Sequence, residues 1–73
     1  MQIFSFTIVL DEINISDEMA NDLYGGGCDD ALLARQGGEV TLDFDREAED
    51  EQSAIDSAIE DVRKAGYKVR FVR

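Results

Sequence analysis

The sequence predicts an α+β domain with the ferredoxin-like βαββαβ order, a four-stranded antiparallel sheet with two helices on one face. Three observations carry that prediction. Two segments repeat apolar residues with a helical period, and each lies between two segments that alternate like strands. The middle two strand segments are separated only by Gly37-Gly38, a two-residue hairpin signal. Right-handed crossovers through the helices then place both helices on one side, with the first and third strands central.

The elements follow in order. Gln2 to Leu10 reads as a strand, with Phe4, Phe6, Ile8 and Leu10 alternating with Ser5, Thr7 and Val9. Asp11 to Ile15 is a connection. Ser16 is placed to cap a short helix, with Asp17 and Glu18 in the first turn, where the helix dipole favours acids. Met19, Ala20, Leu23 and Tyr24 form its core-facing stripe, and Gly25-Gly26-Gly27 ends it. Ala31 to Gln36 is a weaker strand. Glu39 to Phe44 follows, with Val40, Leu42 and Phe44 inward and Glu39, Thr41 and Asp43 outward. Asp50 caps the second helix, which runs from near Glu51 to Gly66. Its stripe is Ile55, Ala58, Ile59 and Val62, so Asp56, Glu60 and Asp61 are expected to face water. Tyr67 to Val72 is the last strand, with Tyr67, Val69 and Phe71 on one face and Lys68, Arg70 and Val72 on the other.

Seventy-three residues form a single domain, residues 1–73. A chain of this size buries about 60% of its unfolded surface, so its stability is marginal. An apolar share of 44% is that of a globular protein, not a disordered one. No apolar run nears the ~20 residues that span a bilayer, and the first residues read as a strand without a signal peptide's basic region. One cysteine, Cys28, offers no internal disulfide, which fits a cytoplasmic location in a bacterial host cell.

The net charge of −10 sets the function classes. Direct nucleic-acid binding needs Lys and Arg against phosphates, and anionic membranes repel such a chain, so neither is an expected partner. The charge is also uneven. Residues 1–62 hold all 17 acids and only Arg35 and Arg46, and residues 63–73 hold five cations and no acid. The basic tail is expected to lie against part of the acidic surface.

Motifs that carry chemistry do not fit. Gly25-Gly26-Gly27 follows a helix C-terminus, whereas phosphate loops precede an N-terminus. Cys28 has no histidine to act as its base, and Asp29 and Asp30 beside it raise a thiol pKa. Asp43-Phe44-Asp45-Arg46-Glu47 begins like a calcium loop but has Ala48 where glycine is required and Ala54 where a bidentate Glu is required. The inward alternation of Phe4, Phe6 and Phe44 leaves no aromatic platform for RNA on the central strands. No catalytic residue, cofactor or metal is expected.

The acids themselves remain. Six of the nine residues Asp43 to Glu51 are acidic. Along a strand, Asp43 and Asp45 lie about 7 Å apart on one face, and on the second helix Asp56 and Glu60 lie about 6 Å apart. Two charges at 7 Å in water repel by ~0.6 kcal/mol, more near a protein surface. Acids so spaced match neighbouring phosphates and suit a Lys/Arg-lined groove, although acidic surfaces also simply keep small proteins soluble. The expected partner-binding residues are Asp43, Asp45, Glu47, Glu49, Asp50, Glu51, Asp56 and Glu60.

The segments FSFTIVL, DLYGGGCDDALLA, TLDFDREA and SAIDSAIEDVRKAG resemble a family of small acidic bacterial proteins with a ferredoxin-like fold. The resemblance covers nearly the whole chain, and GCDDA and DFDREA are its most specific part. That family has no agreed activity, so this resemblance implies the fold. Size, fold and acidity also resemble phage-encoded anti-CRISPR proteins. Several of those act as DNA mimics against the Cascade surveillance complex, at the subunit that reads the PAM. This second likeness is one of general character, and no functional residue is transferred from it.

Together these imply a monomeric, non-enzymatic inhibitor that binds the basic DNA-binding surface of a CRISPR effector (Cascade) subunit as a DNA mimic and blocks target recognition. The alternative is an antitoxin-like or regulatory module paired with a basic partner. A weak metal-dependent enzyme is the third reading, with Asp11 or Asp43 and Asp45 as ligands.

Overall fold

The computed structural model describes all residues, Met1–Arg73. Its elements are β1 (Gln2–Leu10), α1 (Asp17–Gly25), β2 (Ala31–Gln36), β3 (Glu39–Ala48), α2 (Glu51–Lys64) and β4 (Val69–Val72). The sheet is antiparallel throughout, in the order β2-β3-β1-β4. The expected ferredoxin-like arrangement is therefore the one observed.

Strand alternation sends Phe4, Phe6, Ile8 and Leu10 of β1 to the same side as Leu42 and Phe44 of β3. Both helices bury their stripes there, Met19 and Leu23 from α1 and Ala54, Ala58 and Val62 from α2. Phe6 and Phe44, directly opposite, stack with ring centroids 5.3 Å apart. Complete burial of each large apolar side chain here stabilises the fold by roughly 1.5–3 kcal/mol. The other face of the sheet carries no helix.

The caps form as their chemistry requires. Ser16 Oγ accepts from Met19 N–H at 3.1 Å and Asp50 accepts from Ser53 N–H at 2.7 Å. That bond holds the Asp50 carboxyl below its ordinary pKa. The β2–β3 hairpin turns through Gly37 and Gly38, both at positive φ (56° and 80°), as a type I′ turn demands.

Four expectations need correction. β3 does not end at Phe44; it runs to Ala48, so most of the acidic run is strand. β4 starts at Val69, and a register shift beside Leu10 turns both Val69 and Val72 toward the core and Phe71 to the open face. The buried line of α2 is Ala54, Ala58 and Val62, with Ile55 and Ile59 at its flank. Thr41, on the outward alternation, is nevertheless buried, as is its cross-strand partner Val9, which Phe71 faces from β4.

Candidate interaction surface

The C-terminal half of β3 is held from beneath by Arg46. Its side chain points to the helix side and is nearly buried. Nε and Nη2 donate to the two carboxylate oxygens of Asp30, at 2.8 and 2.9 Å. Nη1 donates to Ser57 Oγ at 3.1 Å and Asp61 Oδ2 at 2.9 Å, and Nη2 also donates to Gly27 O at 2.8 Å. All five guanidinium N–H groups are thus used, and Cζ lies over the Phe44 ring, 5.0 Å from its centroid. The hydrogen bonds to Asp30 raise the Arg46 pKa further above its ordinary value and hold the Asp30 carboxyl below its own.

This cluster explains two features of the sequence. Asp61 does not face water as the helical stripe implied; it turns inward to Arg46. Gly27 sits at φ 114°, and a Cβ there would lie 2.9 Å from Asp61 Oδ2, so GCDDA and DFDREA are two halves of one ion-pair cluster. Cys28 beside them is fully buried, and its thiol is pushed up to about 11, first by burial and then by Asp61.

Arg46 takes the inward position between Asp45 and Glu47, which places those two and Asp43 in a row on the open face. The row is ordered by β1. Ser5 Oγ donates to Asp45 Oδ1 and Thr7 Oγ1 to Asp43 Oδ1, both at 2.6 Å. Each carboxylate is fixed by one oxygen and presents the other to solvent. Leu32, opposite Asp43, and Ile3, opposite Glu47, flank the row with two-thirds of their surface exposed.

The eight acids expected to act together are divided. Asp43, Asp45 and Glu47 share the open face, and Glu49, Asp50 and Glu51 continue from the end of β3 into α2. Asp56 and Glu60 each lie two residues past a buried alanine of α2, so they point away from the sheet, on the opposite surface. Asp56 accepts instead from Gln52 Nε2 at 2.8 Å. None of the eight is in an ion pair. Of the basic tail only Arg73 forms one, reaching Glu39 at 3.0 Å.

No three His, Cys, Asp or Glu side chains converge as a metal-binding group, Asp11 and the Asp43–Asp45 pair included. The surface has no pocket, and no helix is long and apolar enough to cross a membrane. Comparison with protein-family models, with curated proteins and with solved structures gives no match to this chain.

Proposed function

We propose that this chain is a non-enzymatic binding protein whose β3 acidic row docks on a Lys/Arg-lined, DNA-binding protein surface as a mimic of the phosphate backbone. The observation that supports it is the row Asp43, Asp45 and Glu47. Its first two carboxylates are pinned by Ser5 and Thr7, and none of the three has a cation partner within the chain. An oriented carboxylate loses little side-chain entropy on pairing with arginine or lysine, which favours specific over diffuse attraction. The overall likeness to anti-CRISPR proteins makes the PAM-reading Cascade subunit the target to test first, with inhibition of target DNA recognition as the outcome.

The test is binding to that subunit by wild type and by Asp43→Asn/Asp45→Asn/Glu47→Gln, with circular dichroism as the fold control. Wild type is expected to bind, to be displaced by duplex DNA and to weaken with salt over a screening length of ~8 Å at physiological ionic strength. The triple variant is expected to bind about tenfold or more weakly. Asp56→Asn/Glu60→Gln, on the opposite surface, is expected to bind as wild type. Undiminished binding by the folded triple variant would remove the proposal, as would a complex indifferent to DNA.

A further inference from the structure

The open face of the sheet carries, on its outer strand β2, a large apolar side chain in water: Leu32 is 65% exposed. Its position is fixed from both sides. β2 pairs with β3 along its whole length, which sets Leu32 directly opposite Asp43, and the N–H of the next residue, Leu33, donates outward to the Tyr24 hydroxyl at 3.0 Å. Beside Leu32 run the carboxylates of Asp43, Asp45 and Glu47, none of them in an ion pair. Toward the β2–β3 hairpin the face is already closed, with Thr41 and Val9 buried and Glu39 paired with Arg73. What stays open is a strip over β2 and β3, one apolar anchor beside three acids.

The geometry of the strip selects its occupant. β3 spends its backbone hydrogen bonds on β1 and β2, so a partner laid on this face meets side chains only. Such a partner must satisfy its own N–H and C=O groups, as a helix does. A helix is about 10–12 Å across, enough to cover two strands about 4.8 Å apart. Its spacings fit as well. Residues i and i+4 lie about 6 Å apart along one ridge, against about 7 Å between alternate residues of β3. Residue i+3 lies about 5–6 Å to the side of residue i, close to the strand spacing that separates Leu32 from Asp43. Over three acids the misfit is about 2 Å, which the flexible stem of a lysine or arginine absorbs.

We infer that this strip receives a basic amphipathic helix of the partner protein. Lys or Arg at i, i+4 and i+8 lies over Asp43, Asp45 and Glu47, and an adjoining apolar ridge at i+3 and i+7 lies on Leu32. Exposed ion pairs contribute little each, so the apolar contact is what separates this docking from diffuse attraction. A second copy of this chain is a poor occupant. Its α2 turns Asp56 and Glu60 outward, and it brings another net charge of −10 to the same carboxylates. The placement of the cations rests on the acidic-row reading above; the helical spacing and the contact with Leu32 go beyond it.

The experiment uses the full chain and two peptides of equal length and composition. One carries Arg at i, i+4 and i+8 with Leu at i+3 and i+7; in the other the same residues are shuffled so that no two Arg lie one helical turn apart. Fluorescence anisotropy measures affinity, circular dichroism the helix gained, and amide shifts by NMR the surface touched. The ridged peptide is expected to bind about tenfold more tightly than the shuffled one, to gain helix on binding and to shift the Leu32 and Asp43 amides. Leu32→Thr, which keeps a side chain suited to a strand, is expected to weaken the ridged peptide about fivefold and to leave the shuffled one unchanged. Equal affinity for the two peptides, or binding without gain of helix, overturns the helix and leaves the acidic-row reading standing. Wild-type affinity of Leu32→Thr overturns the apolar contact. Undiminished binding of the ridged peptide by a folded Asp43→Asn/Asp45→Asn/Glu47→Gln variant removes the acidic-row reading and the cation placement with it. Absence of binding by either peptide at low salt also overturns the proposal.

Discussion

Removing the Arg46 side-chain charge strikes the one buried charge cluster of the fold. Arg46→Met keeps an unbranched stem against Phe44 but deletes five hydrogen bonds and leaves Asp30, Asp61 and the Gly27 carbonyl without their partner. Breaking a buried ion pair from one side costs about 3–5 kcal/mol. Asp30 and Asp61 keep side-chain exposures of 31% and 27%, so water recovers part of that, and the loss falls at the lower end, about 3 kcal/mol. A 73-residue chain has roughly 4–11 kcal/mol in all. With a urea slope near 1 kcal/mol/M, the midpoint falls by about 3 M. Urea unfolding followed by circular dichroism measures it. The companion Arg46→Met/Asp30→Asn/Asp61→Asn removes both stranded charges and is expected to be more stable than the single variant. A single-variant loss below about 1 kcal/mol, or a companion no better than the single variant, refutes the reasoning.

Four further outcomes are expected. Because Arg46 holds the Asp30 carboxyl below its ordinary value of 3.8, that contribution is complete above about pH 4 and is lost as the pH falls through the lowered value. The stability gap between wild type and Asp30→Asn therefore narrows on acidification in urea titrations at successive pH values; a constant gap contradicts it. Gly27→Ala is strained in φ and meets Asp61, so it costs about 1–3 kcal/mol in thermal unfolding. Gly25→Ala, at the end of α1 with open space around its Cβ, gains about 0.5–1 kcal/mol. Cys28, buried and with its thiol pushed up to about 11, is expected to resist maleimide at pH 8 in native protein and to react at once in urea; native labelling at the unfolded rate would show the loop opening freely.

The fold was legible because its periodicities are clean. Phe4, Phe6, Ile8 and Leu10 alternate without a fault, and Gly37-Gly38 supplies the two positive φ angles that a type I′ hairpin turn requires. What stayed hidden were positions where a polar residue occupies an inward place. Arg46 continues the inward parity of Leu42 and Phe44, yet composition makes the segment look like an acidic loop and cuts the strand at Phe44. The available signal was the lone arginine among acids, with GCDD and Asp61 as its counter-ions across a long stretch of chain. The register shift beside Leu10 has no local signature, since Tyr67 to Val72 alternates either way. Of the candidate surface, the spacing of Asp43 and Asp45 was readable from strand geometry. Its separation from Asp56 and Glu60 was not, because which surface an acid joins depends on how the helix layer sits on the sheet.

The hydroxyl of Tyr24 on the Leu33 amide has a consequence for growth. Fibrils and ladders of sheets propagate when every unit carries two accepting sides, one to join by and one to be joined. With its Leu33 amide bonded from within its own chain, and Arg35 Nε tying the Ile13 carbonyl down beside it at 2.7 Å, the β2 edge is a poorer template than a fully open one. A strand added along β2 must first displace the Tyr24 hydroxyl from that amide, which disfavours ladder growth through this edge.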